Sequence, residues 1–333
     1  MREIRTDDGA RTPDHKPPFS WVWPVLAGAS VGVGLRLVFW GEPGKPFAAM
    51  MAAFIYFSPI LVGAVTVYVA ERKERRTWKY YFWAPFFANC LYVLGTILIM
   101  IEGLICAVVI VPLFAALGGL GGLAMGATCR LTNWPKSTVY SLAVLPFLVA
   151  FVEDGVKYDV RTGSVERTAL INAPPELVWK QVLNAPDIKP QEIEDAWMFR
   201  IGVPLTRSGV MTETPAGPVR RVTMGKDIYF DEVITDLLAP SYIRWTYRYF
   251  EDSFPKYALD DHVKLGGHYF DIIDTSYTLT PVGGQTEMKV RMQYRVSTRF
   301  NWYADPVAQL LLTNLAGINL DYYQRRGESR PPG

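Results

Sequence analysis

The chain has 333 residues, half of them hydrophobic, and its 34 Lys and Arg nearly balance its 32 Asp and Glu. Near neutrality leaves no basic stripe to replace counterions on a phosphate backbone, which excludes a nucleic-acid partner. The three cysteines, Cys90, Cys106 and Cys129, lack the pairing and spacing of a disulfide framework or a zinc site, so they read as small apolar residues and no metal or cofactor is expected.

The polar, Pro-containing residues 1–18 read as a poorly ordered tail. Residues 19–153 read as an all-α transmembrane domain of four or five helices. Phe19 to Trp40 and Pro46 to Ala70 are each long enough to cross a hydrocarbon core, which takes about 20 helical residues. A tight turn, "GEPGK", joins them. Tyr80 to Ala127 is about twice the length a bilayer needs, so it must fold back, and Glu102-Gly103 is the natural tip of that hairpin. A carboxylate at the tip is expected to reach headgroups and water. Arg36, one turn from Trp40, is expected to snorkel to the interface.

A fifth segment runs from Trp134 or Pro135 to Val152 with Pro146 inside it. The loop "ERKERRTWK" carries Arg72, Lys73, Arg75, Arg76 and Lys79, which places it and the N-terminus in the cytoplasm. Five spans then put the second half outside the cytoplasm and four put it inside. The expected location is a bacterial inner membrane. "GGLGGLAMG" (118–126) and the Gly28/Gly32 pair give small-xxx-small spacings that let helices approach closely, here within one bundle.

Residues 154–163 read as a linker, 164–327 as one α+β domain and 328–333 as a disordered tail. In "SVERTALINAPPELVWKQV", Val165, Arg167, Ala169 and Ile171 alternate with Glu166, Thr168, Leu170 and Asn172 as a partly buried strand would. Asn172 is then an N-cap, with Pro174-Pro175 in the first turn of a helix running to about Leu183. An irregular stretch follows, then strands near 218–224, 228–238, 241–250, 268–280 and 286–298, the last two joined by the hairpin turn "PVGGQ". Met288, Val290, Met292, Tyr294 and Val296 share one face; so do Ile243, Trp245, Tyr247 and Tyr249. Asp305 as N-cap and Pro306 at the first position open a long helix, with Val307, Leu311, Leu315, Ile318 and Tyr322 at helical spacing and Arg325-Arg326 closing it.

This order makes a curved antiparallel sheet around a long C-terminal helix, with a cavity between them. "ERTALINAPPELVWKQVLN", followed by the meander and terminal helix, resembles the START-like (SRPBCC) superfamily of polyketide cyclases, ring-hydroxylase α subunits and lipid-transfer domains. The resemblance spans roughly 163–327 and implies a helix-grip fold with an apolar-ligand cavity. The multispan anchor departs from the usual soluble members and argues against a freely diffusing transfer role.

Cavity-lining candidates are Trp245, Tyr247, Tyr249, Met288, Met292, Tyr294, Leu311 and Leu315, with His268 as one polar contact; the aromatics and methionines serve equally well as plain core. In "DDHVKLGGHYFD", His262 and His268 stand near Asp260, Asp261 and Asp271, but a metal site would need the loop to fold back on itself, and the stretch reads as a solvated acidic loop. Residues 251–267 form a loop long enough to be a lid. No GxSxG, nucleophilic Cys in the second half or phosphate loop is present.

The function expected is therefore a membrane-anchored, non-catalytic carrier or sensor of a lipid or other apolar small molecule. The alternative is an assembly subunit docking on other membrane-complex subunits, and a third reading is a cyclase- or aromatase-type enzyme with a titratable pair in the cavity.

Overall fold

A computed structural model describes residues 21–41, 45–132, 136–153, 158–215 and 217–328. The tails at 1–18 and 329–333, most of the "GEPGK" turn, and Trp134-Pro135 lie outside the described residues.

Among the described residues, five helices make the first half: α1 (Val22–Val38), α2 (Ala52–Glu71), α3 (Trp78–Leu98), α4 (Leu104–Leu131) and α5 (Lys136–Glu153). Of these, α2, α3 and α4 are long and apolar enough to cross a membrane. The expected hairpin is there, with its turn at 99–103 between α3 and α4. Its close packing depends on glycine. A Cβ on Gly63 would lie 2.1 Å from the Gly118 carbonyl oxygen, so α2 and α4 touch backbone to backbone within one bundle.

The second half is β1 (Arg161–Ile171), α6 (Pro175–Leu183), two short turns α7 (Pro190–Ile193) and α8 (Trp197–Arg200), six strands β2 (Thr206–Thr214), β3 (Gly217–Met224), β4 (Tyr229–Leu238), β5 (Tyr242–Arg248), β6 (Phe270–Val282) and β7 (Gln285–Val296), and α9 (Asn301–Glu328). The seven strands form one antiparallel sheet in the order β1-β7-β6-β5-β4-β3-β2. Gly283 and Gly284, at φ +54° and +87°, make the β6–β7 turn in the left-handed region that glycine enters without strain. Alternation in β7 is as read from sequence: Met288, Val290, Met292, Tyr294 and Val296 are buried against α6 and α9.

Four local expectations are corrected. Residues 206–214, read as irregular, are the edge strand β2; nearly all of its residues are half-buried or exposed, so it has no apolar alternation to betray it. Arg167 of β1 shares the face of Val165 and Ile171, pairing with buried Val290, but is itself exposed. The N-cap of α6 is Pro174, not Asn172, whose backbone N–H donates to Glu328 Oε1. The last helix opens at Asn301, four residues before Asp305; Asn301 Oδ1 accepts from the Thr298 backbone N–H (2.7 Å), while Asp305 sits inside the helix and accepts from the Tyr294 hydroxyl (2.7 Å).

The first turns of α9 are planted in the helical half. Phe300 belongs to the bundle's buried apolar cluster; Tyr303 donates to the Val109 carbonyl (2.6 Å); Trp302 Nε1 donates to Tyr56 (2.7 Å). Arg299 pairs with Glu153 (3.0 Å), whose carboxylate also caps the N-terminus of α2. All these contacts lie at the end of the bundle that carries the 99–103 turn. The basic 72–76 loop, where Arg130 reaches the Arg76 carbonyl, is at the other end.

Candidate ligand-binding site

Because α9 crosses the concave face of a curved sheet, side chains do not fill the space between them, and an inner cavity of about 200 Å³ remains. Its walls are apolar, with Phe230, Ile272, Met292, Leu312 and Leu315 among them. Its polar floor is built on β3, β4, β5 and β6. Arg220 Nη1 donates to Glu232, both side chains being less than a tenth exposed. The Arg220 guanidinium also lies over the Trp245 ring, 5.3 Å from its centroid. Gly209 makes room for it, since a Cβ there would stand 2.3 Å from the guanidinium carbon.

Arg220 Nε has no hydrogen-bond partner among the described residues. Beside the pair, the Tyr247 and Thr275 hydroxyls share a hydrogen bond of 2.6 Å, and Asn319 joins the wall from α9. Burial pushes the Glu232 carboxyl above its ordinary range although Arg220 opposes the shift. Burial likewise raises Tyr247, and takes Tyr322 up to about 12, so these hydroxyls keep their protons at neutral pH. With Arg220 paired to Glu232 and the hydroxyls uncharged, the floor offers hydrogen bonds, and suits a neutral polar group on an apolar molecule.

A second cavity of about 200 Å³ lies at the seam between the halves. The bundle contributes Phe54, Tyr92, Ile105 and Val109, and the second half Val307 and Leu311. Five residues line both cavities: Met198, Val203, Val263, Phe270 and Leu312. One layer of side chains thus separates a chamber walled by membrane-type helices from one walled by the sheet.

One corner of the outer chamber is polar. Arg36 Nε donates to Glu102 Oε1 and its Nη1 to the Phe39 carbonyl (2.7 Å), so Arg36 does not snorkel and Glu102 does not face headgroups. Asp260 Oδ2 accepts from the Gly103 N–H (3.2 Å), Asp260 Oδ1 is 2.8 Å from His262 Nδ1, and His262 Nδ1 is 3.9 Å from Glu102 Oε2. The loop read as solvated is therefore docked on the hairpin turn. Burial works against both charges, but their mutual hydrogen bond wins: it holds the Asp260 carboxyl well below the usual carboxylate range and His262 above its ordinary value. The rest of the loop closes the inner chamber with Leu259, Val263 and Leu265.

Of the residues singled out from sequence, Tyr247, Met292 and Leu315 line the inner cavity and Leu311 the outer one. Trp245, Met288 and Tyr294 pack in the sheet core; Tyr249 stacks with Tyr247 and meets Phe230 and Phe254; His268 is exposed, edge-on to Tyr158 and Tyr269. Arg220 and Glu232 were not singled out. Their signal was two like-charged pairs, Arg220-Arg221 and Asp231-Glu232, on strands that pair in register, where alternation sends one member of each pair inward.

A seven-stranded antiparallel sheet gripping a long C-terminal helix, entered through a strand and a proline-started helix, is the architecture the sequence implied. The second half has a helix-grip fold. Similar solved structures include an uncharacterised protein from Rhizobium leguminosarum (16% identity, 52% of this chain and 99% of that one, TM-score 0.31). Others are the di-domain aromatase/cyclase BexL of the BE-7585A biosynthetic pathway (17%, 65% and 64%, 0.31) and truncated norcoclaurine synthase from Thalictrum flavum (11%, 53% and 99%, 0.31). At such TM-scores the likeness adds no argument to the topology already described. No family model and no curated protein matches the chain.

Proposed function

We propose that the chain is a membrane-anchored helix-grip protein that takes an apolar molecule bearing a neutral polar group from the bilayer into its sheet cavity, as a non-catalytic carrier or sensor. The observation that carries this reading is the wall shared by the two chambers. A ligand in the outer chamber lies against α2, α3 and α4, and displacing side chains such as Met198 or Leu312 would open a route to Arg220 and Tyr247 without crossing bulk water.

Five spans of a bacterial cytoplasmic membrane fit this reading. The basic 72–76 loop and the helix-grip domain stand at opposite ends of the bundle, so a cytoplasmic loop puts the domain outside. The 17-residue α1 and the 18-residue α5 then span together with the three longer helices.

The test is a photoactivatable apolar probe dissolved in vesicles containing the full chain. Labelled peptides from β3, β4 and β5, which line only the inner chamber, support entry into the grip. Labelling confined to the bundle and the outer-chamber residues of α9 and β7 refutes it and favours an assembly subunit.

A further inference from the structure

Four side chains meet at the seam, two from each half of the protein. Glu102 ends the hairpin turn and Cys106 follows one helical turn later on α4, so both face the same way. Asp260 and His262 come down from the loop between β5 and β6. One donor atom from each lies within 4.8 Å of every other. Glu102, Cys106 and His262 all border the outer chamber.

We propose that Glu102, Cys106, Asp260 and His262 bind one divalent ion of the zinc class, closing a four-ligand clasp between the bundle and the helix-grip domain. The donor set, one thiolate, one imidazole and two carboxylates, is one that borderline-soft zinc accepts. With bonds of about 2.0 Å to nitrogen and oxygen and 2.3 Å to sulfur, a tetrahedral site has donor separations of about 3.3–3.5 Å. To reach that geometry His262 and Asp260 part slightly from 2.8 Å, Glu102 Oε2 closes from 3.9 Å, and any pair at the 4.8 Å limit of the cluster closes by roughly 1 Å or a little more, which side-chain rotation supplies. Arg36 holds the other Glu102 oxygen, Oε1, and so presents Oε2 to the site, as an outer-shell partner does for a ligating carboxylate.

The ion's two positive charges would offset the two carboxylates, while Arg36 stays paired with Glu102. Four protein donors leave no open position, so the clasp is structural: it fixes the docking on which the outer chamber depends.

The test uses the full chain, purified in detergent through a tag without histidines and stripped with a chelator. Zinc is then added back, bound metal is counted by elemental mass spectrometry, and alkylation of the three cysteines is followed by peptide mass spectrometry. One ion per chain is expected, together with a slowing of Cys106 alkylation by about tenfold or more, because the reactive species is the free thiolate. Cys90 and Cys129 should be unaffected and serve as internal references. Cobalt added instead should give a thiolate-to-metal absorption band, absent in Cys106→Ser. Substoichiometric metal, or an ion that leaves Cys106 alkylation unchanged, overturns the proposal on the wild-type chain alone, whether or not the variant folds.

Discussion

Replacing Glu232 by Gln tests the polar floor most sharply. The change leaves Arg220 charged, more than nine-tenths buried and facing an amide. Removing one partner of a buried ion pair costs about 3–5 kcal/mol. Gln still accepts one hydrogen bond and the Trp245 ring still attracts the guanidinium, so the lower end, about 3 kcal/mol, is expected. For a domain of this size about 3 °C of melting temperature corresponds to 1 kcal/mol, so the helix-grip transition should fall by about 9 °C. Arg220→Met should cost less, because burial already pushes the Glu232 carboxyl up and an unpaired Glu232 can take a proton. Combining Arg220→Met with Glu232→Leu removes both charges and should recover most of the loss. The same double variant should weaken a bound ligand by about 1.5–3 kcal/mol if the ligand's polar group bonds the floor. Differential scanning fluorimetry of the full chain in detergent measures the three variants. Glu232→Gln melting within a degree or two of wild type, or a double variant no better than the worse single one, would refute the reasoning.

Three further outcomes are expected. Gly63→Ala puts a methyl where the Gly118 carbonyl stands, so α2 and α4 must separate; the yield of monodisperse protein in detergent should fall sharply, while Gly34→Ala, with open space around it, should be neutral. Asp231 is fully buried, and although burial raises its carboxyl, hydrogen bonds from Arg221 (2.8 and 3.1 Å) and Arg248 (2.9 Å) outweigh that and hold it below the ordinary value. A depressed carboxyl contributes stability above its unfolded value and loses it as pH falls through its folded one, so wild type should lose its advantage over Asp231→Asn below about pH 4, a gap of about 2–3 kcal/mol at pH 7 closing on acidification. Tyr257, 68% exposed on the loop above the seam, reports topology: in intact cells Tyr257→Cys should react with a membrane-impermeant maleimide and Arg75→Cys should not, and the reverse would place the helix-grip domain in the cytoplasm.

The hairpin at Glu102-Gly103 and the buried face of β7 were legible because each rests on a local pattern, the length of an apolar run in one case and strict alternation in the other. Strand β2 was not, because an edge strand buried on neither face carries no such period. The long helix was placed five residues late, at Pro306 rather than Asn301, because Asp-Pro is a strong local start signal, whereas the Thr298–Asn301 cap and the anchoring of Phe300 in the bundle are tertiary facts. Its cavity-facing stripe was readable in part: Val307, Leu311 and Leu315 stay half-buried because they face chambers, while the tightly packed positions are Leu312, Ala316 and Leu320 one residue along. Arg36, Glu102 and His262 each looked solvated because their partners lie far off in the chain, and no periodicity reports a contact of that kind.

The central claim is that the grip holds an apolar molecule drawn from the membrane. Native mass spectrometry of the full chain, released from detergent micelles and followed by solvent extraction, tests it most directly. One stoichiometric apolar molecule per chain, lost in the Arg220→Met, Glu232→Leu double variant, is the predicted result. A folded chain that stays empty after incubation with a total lipid extract would contradict it.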